Sequence, residues 1–132
     1  RRRGAALRSR AWPQAARVQP GRASGGPDLR GRDLEGREVA LARADVVDLA
    51  AGLRGALLTA GDAGYETARH GWNGAFDPRP ALIARCSGQA DVRRAVEFAR
   101  AHRLLTAVRG GGHNTSGKSS CDGGIVIDTS PM

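Results

Sequence analysis

Between Ala81 and Asp128 the chain changes its hydrophobic period repeatedly, and this constrains the fold more than any other feature. "ALIARC", Ala81 to Cys86, is a short apolar run of strand type. Val92, Ala95, Val96 and Ala99 then recur at helical spacing, with Arg93, Arg94, Glu97 and Arg100 on the opposite, water-facing side. Ser87 stands where a hydroxyl can cap that helix. "LLTAV", Leu104 to Val108, is a second strand, and "GGIVIDTS" holds a third. Strand, helix, strand in so short a stretch is a βαβ unit, so the first two strands are expected to be parallel with a right-handed crossover.

Upstream, Val46, Leu49, Ala50, Leu53 and Leu57 mark one face of a helix opened by Asp45 as cap, with Asp48 in its first turn. Gly52 and Gly55 weaken it, and its end is expected near Thr59. Tyr65, Ala68, Arg69 and Trp72 suit a short helix, and Pro78 and Pro80 forbid one in the "NGAFDPRP" that follows.

Charge separates the chain into unequal parts. Residues 1–43 carry 11 basic against 4 acidic residues, net +7, and residues 44–132 carry 10 against 9, net +1. The first part lacks hydrophobic periodicity and is rich in turn clusters, so it reads as a disordered basic tail. Such a tail suits nucleic acid or an anionic surface, but Trp12 is its only aromatic and no motif repeats, so no nucleic-acid partner is expected. "RRRGAALRSR" has the paired arginines of an export signal without the apolar stretch that follows one, so export is not supported and a cytoplasmic place is preferred. No apolar run approaches the ~18 residues that span a membrane, and no membrane partner is expected. The organisation expected is a tail over 1–43, a helical lead-in over 44–74 and a cofactor-binding part over 75–132 that belongs to a longer protein. Cys86 and Cys121 form no CxxC, and His70, His102 and His113 have no ligand spacing, so two free thiols and no metal site are expected.

"RGGGHNTSGKSS", Arg109 to Ser120, leaves the second strand. Gly112 to Ser119 fits the Walker A pattern GxxxxGK[ST], which works when a helix follows and turns its N–H groups to the phosphates. Here Asp122-Gly123-Gly124 makes a turn and the β-branched Ile125 to Ile127 follow, which leaves no room for that helix. Gly110, Gly111 and Gly112 can instead take φ > 0 and gather several N–H groups into an anion-binding nest.

The order of these motifs resembles the FAD-linked oxidases of the vanillyl-alcohol oxidase and para-cresol methylhydroxylase superfamily, in its berberine-bridge-enzyme-like branch. Arg109 to His113, Asp122 to Gly124, Asp128 and Met132 match the family's Arg-(Gly/Ser)-Gly-Gly-His, Asp-Gly-Gly, strand-ending Asp and following Met. The lead-in from Gly61 to His102 also fits, and the resemblance covers about residues 44–132. It implies an α/β fold, α+β once complete, forming the first half of an FAD-binding domain. It implies FAD contacts at Arg109, Gly110, Gly111, Gly112, His113, Asn114 and Gly117, and a covalent flavin link at His113, as many members have. It implies an oxidoreductase that takes a hydride from a small organic substrate, with O2 as acceptor, and leaves the residues acting on that substrate unassigned. Lys118 and Pro131 depart from the usual pattern. The alternatives are a P-loop nucleotide-binding protein and a nucleic-acid binder acting through the Arg-rich tail.

Overall fold

The computed structural model describes residues 28–70, 77–110 and 120–132. Among them are strands β1 (Leu29–Arg32), β2 (Glu38–Leu41), β3 (Ala56–Leu58), β4 (Leu82–Arg85), β5 (Thr106–Arg109) and β6 (Ile125–Asp128), and helices α1 (Arg43–Gly52), α2 (Tyr65–Arg69) and α3 (Gln89–Ala101). β1 and β2 form a hairpin, and the other strands make a four-stranded sheet in the order β3-β4-β6-β5.

β4 and β5 run in the same direction, as the βαβ reading requires, but they are not neighbours. β6 lies between them, parallel to both. Its side chains Ile125, Val126 and Ile127 are fully buried, as are Leu82, Ile83 and Ala84 of β4. A parallel strand covered on both faces is apolar at every position rather than at every second one, which is how "IVI" and "LIA" read. β3 closes the far edge antiparallel to β4. The stretches 44–74 and 75–132 therefore share one sheet. α3 packs over β6 and against α1, and α2 against β4.

Several expectations need correction. The tail reading of residues 1–43 fails over its last third, where Leu29–Leu41 form the hairpin, while residues 1–27 lie outside the described residues. Asp33 builds the hairpin turn, its Oδ1 accepting the N–H groups of Glu35 at 2.9 Å and Arg37 at 2.8 Å. The hairpin is stitched to the main sheet where Arg32 N donates to Gly123 O at 2.7 Å and Leu105 N donates to Arg32 O at 2.9 Å.

The first helix ends at Gly52, not near Thr59, and Leu57 belongs to β3. The reason is Asp91 of α3, whose carboxylate takes the next backbone donors, Arg54 N and Gly55 N, both at 2.8 Å. A Cβ on Gly55 would come within 1.9 Å of Arg85 O, so only glycine lets this turn approach β4. Asp45 is not the cap either. Ala42 occupies that place without a side-chain bond, and Asp45 sits in the first turn, 3.2 Å from His102 Nε2. Nor does Ser87 cap α3. Gly88 is the cap residue, and Ser87 N and Oγ both donate to Asp91 Oδ2, at 3.0 and 3.1 Å. Val96 leaves the expected buried stripe and is 46% exposed, because α1 lies against α3 on the side of Phe98 and His102.

Candidate functional site

The parallel strands β4, β6 and β5 end together, with Arg85, Asp128 and Arg109 side by side in register. In open α/β sheets, ligands bind beyond such carboxyl ends. The glycine segment leaves from here, since Gly110 directly follows β5.

Asp128 is buried and fully engaged. Its Oδ2 lies 3.2 Å from Arg109 Nη2 and 3.4 Å from Arg85 Nε, while Oδ1 accepts from Ser130 Oγ at 2.7 Å and Ser130 N at 3.0 Å. Burial alone would raise its pKa. The Ser130 hydrogen bonds and the Arg109 cation outweigh it and hold the carboxyl below the usual carboxylate range.

Arg109 is buried and fixed at both ends. Its carbonyl accepts from Thr129 N at 2.8 Å and Thr129 Oγ1 at 3.1 Å. Its Nη2 donates to Asp128 and to the carbonyl of Ala68, tying α2 to the sheet. Its Nη1 is buried with no hydrogen-bond partner among the described residues. A buried guanidinium N–H without an acceptor is costly, so it marks a place where an acceptor fits.

Neighbouring segments hold this corner in place. Tyr65 Oη donates to Pro80 O at 2.7 Å. Arg69, also buried, pairs with Asp77, donates to Pro78 O at 3.0 Å and meets Glu66 at 2.8 Å. The Asp-Gly-Gly turn serves the same segment: Asp122 Oδ1 accepts Arg79 N at 2.7 Å, and Gly123 N donates to Arg79 O at 2.9 Å. A Cβ on Gly124 would stand 2.1 Å from Leu105 O, so β5 and β6 can meet here only with glycine.

Of the expected cofactor contacts, Arg109 and Gly110 are placed at the strand end. Gly111, Gly112, His113, Asn114 and Gly117 lie outside the described residues, as does Lys118. Gly110 does not use the left-handed conformation expected of it. Its nearest neighbour to an added Cβ would be Thr129 Oγ1, at 3.9 Å. Nothing among the described residues demands a glycine there. No helix occurs between Ser120 and Met132, so the Walker reading gains no support. Cys86 and Cys121 are free. Burial pushes their thiols up to about 12 and about 11, so both stay protonated and neither is a nucleophile. No metal-holding cluster occurs among the described residues. No helix among them is long and apolar enough to cross a membrane.

Residue pattern missed the part played by Asp128, Thr129 and Ser130. The available signal was an acid closing an apolar strand, with a hydroxyl residue two places on.

The shared strand ends and the buried Arg109 Nη1, which has no partner among the described residues, suit a group that offers an acceptor. Residues 80–132 match the FAD binding domain family model. The chain is 40% identical over 76 residues to (R)-6-hydroxynicotine oxidase of Paenarthrobacter nicotinovorans, covering 58% of this chain and 17% of that protein. It is 34% identical over 80 residues to the uncharacterized FAD-linked oxidoreductase YgaK of Bacillus subtilis, covering 61% and 18%. The crystal structure of 6-hydroxy-D-nicotine oxidase from Arthrobacter nicotinovorans superposes with a TM-score of 0.58 at 38% identity, covering 60% of this chain and 17% of that one. The berberine-bridge-enzyme-like protein 1 of Physcomitrella patens gives 0.53 at 28%, covering 57% and 17%. The chain thus spans under a fifth of the length of these relatives.

Proposed function

We propose that this chain supplies the first part of the FAD site of a flavin-dependent oxidoreductase. The observation carrying this reading is the meeting of three parallel strand ends at a buried Arg109 whose Nη1 lacks an acceptor among the described residues, in a segment matching the FAD binding domain family. When bound, FAD would supply the hydride-accepting chemistry for a small organic substrate, with O2 as the electron acceptor. The protein's own part is to hold and orient. Arg109 and the backbone of Gly110, Gly111, Gly112, Asn114 and Gly117 would hold the cofactor, and His113 would carry it covalently.

Acid precipitation of the full-length protein tests the attachment. Yellow colour should stay with the pellet, and the peptide containing His113 should carry the flavin mass. His113→Ala should release the flavin on denaturation but still bind it when folded. Flavin that is wholly soluble after acid treatment of the wild type would reduce His113 to a non-covalent contact.

A substitution pair tests the nucleotide. If backbone N–H groups do the binding, Lys118→Ala should be mild and Gly111→Val should remove FAD, because a β-branched residue strongly disfavours the φ > 0 that an anion-binding nest draws on. A Walker loop gives the reverse order.

A further inference from the structure

We propose that Asp128 is a positioning residue for the cofactor: paired with Arg109 across the matched ends of β6 and β5, it fixes both the departure point of the glycine segment and the guanidinium beside it. The inference rests on the flavin reading above and adds a residue that touches no cofactor atom itself.

Three observations carry it. The first is register. Arg109 and Asp128 are direct cross-strand partners at the last position of each strand. The side chain of one and the backbone of the next therefore act on the same residue. Asp128 Oδ2 takes Arg109 Nη2 at 3.2 Å, while Thr129 takes the Arg109 carbonyl through both N and Oγ1. Arg109 has little freedom left, and Gly110 begins from a fixed carbonyl.

The second is the division of the guanidinium. Nη2 is used internally, by Asp128 and the Ala68 carbonyl, and Nη1 is buried without a partner among the described residues. Internal stabilisation of Arg109 would be served by satisfying both nitrogens. Holding one edge and leaving the buried Nη1 without an acceptor among the described residues is what an anion-binding arginine needs, since a planar guanidinium fixed at one edge presents the other in a set direction.

The third is that Asp128 is itself held. Ser130 N and Oγ grip its Oδ1, and Arg85 flanks Oδ2. With both oxygens pinned, the Asp128 carboxylate sets the guanidinium plane.

The test uses the full-length protein in a His113→Ala background, where FAD exchanges freely. FAD affinity is measured by titration well below the unfolding temperature, and unfolding temperature is measured separately without FAD. Asp128→Asn keeps the shape and removes the charge that holds Arg109. FAD binding should weaken about tenfold or more in protein that remains folded. Ser130→Ala, at an exposed position, leaves the charge and loosens the grip on Oδ1. It should weaken FAD a few-fold with an unfolding temperature near the parent's, and it keeps the test decisive if Asp128→Asn does not fold. In an Arg109→Lys background the effect of Asp128→Asn should shrink, because the two residues act as one unit. A lower unfolding temperature with unchanged FAD affinity in both variants would make Asp128 purely structural and overturn the inference alone. A wild-type protein that binds no FAD would overturn the flavin reading, and the inference with it.

Discussion

Two glycines at this site ask opposite things of their surroundings. Gly124 is required by the fold, since a Cβ there would press on Leu105 O at 2.1 Å and on Cys121 Sγ at 2.7 Å. Gly124→Ala should therefore destabilise the protein by about 2 kcal/mol or more, measured by urea unfolding without cofactor. Gly110 has no such neighbour among the described residues and no positive φ. Gly110→Ala should leave unfolding within about 0.5 kcal/mol of the wild type while weakening FAD binding. If instead Gly110→Ala unfolds early and binds FAD normally, its glycine serves the loop's own backbone and not the ligand. In the sequence these residues were equivalent letters in glycine-rich runs. Which one is pressed against a carbonyl depends on strands brought together from elsewhere in the chain.

The elements are tied together by buried carboxylates more than by helix caps. Asp91, in the first turn of α3, accepts from Arg54 N, Gly55 N, Ser87 N and Ser87 Oγ. Asp91→Ala leaves several part-buried donors without their acceptor and should cost about 1–3 kcal/mol in chemical denaturation, with α3 itself retained by circular dichroism. A loss below about 0.5 kcal/mol would mean that water replaces the carboxylate without penalty. Helix α3 and strands β4, β5 and β6 were legible because their periods are local. The end of α1 was not, because a side chain far along the chain decides it. The β1–β2 hairpin was missed for a different reason. Its strands are polar, with Arg30, Arg32 and Glu38 exposed, and only the Asp33 turn and Gly36 mark it. The candidate site was half legible. Arg109 and the glycines announced themselves by pattern, whereas Asp128 acquired a role only once the sheet had set it beside Arg109.

Across the molecule, stability depends on acids that stay ionised. Asp91 is held below the ordinary carboxylate value despite burial, by the backbone donors of Arg54, Ser87 and Gly55. Asp128 behaves likewise, and Asp33 is lowered chiefly by the Arg37 backbone N–H. A carboxyl whose pKa is lower folded than unfolded stabilises the fold above the unfolded value near 4, and that contribution disappears as pH falls through the folded value. The unfolding temperature should be flat from neutrality to about pH 5 and fall progressively below about pH 4. Asp91→Asn should flatten that fall, and an equally steep decline in the variant would remove Asp91 from the account. The sheet order was the least legible feature of all, because nothing in three successive apolar runs says that the last one enters between the other two. That insertion has a consequence for a chain emerging from the ribosome. β4 and β5 are made first but do not touch in the native sheet, and each pairs with β6. Until Ile125–Asp128 leaves the exit tunnel, both strands keep an unpaired edge exposed to other nascent chains. Synthesis that pauses before Ile125 therefore prolongs the interval of greatest aggregation hazard.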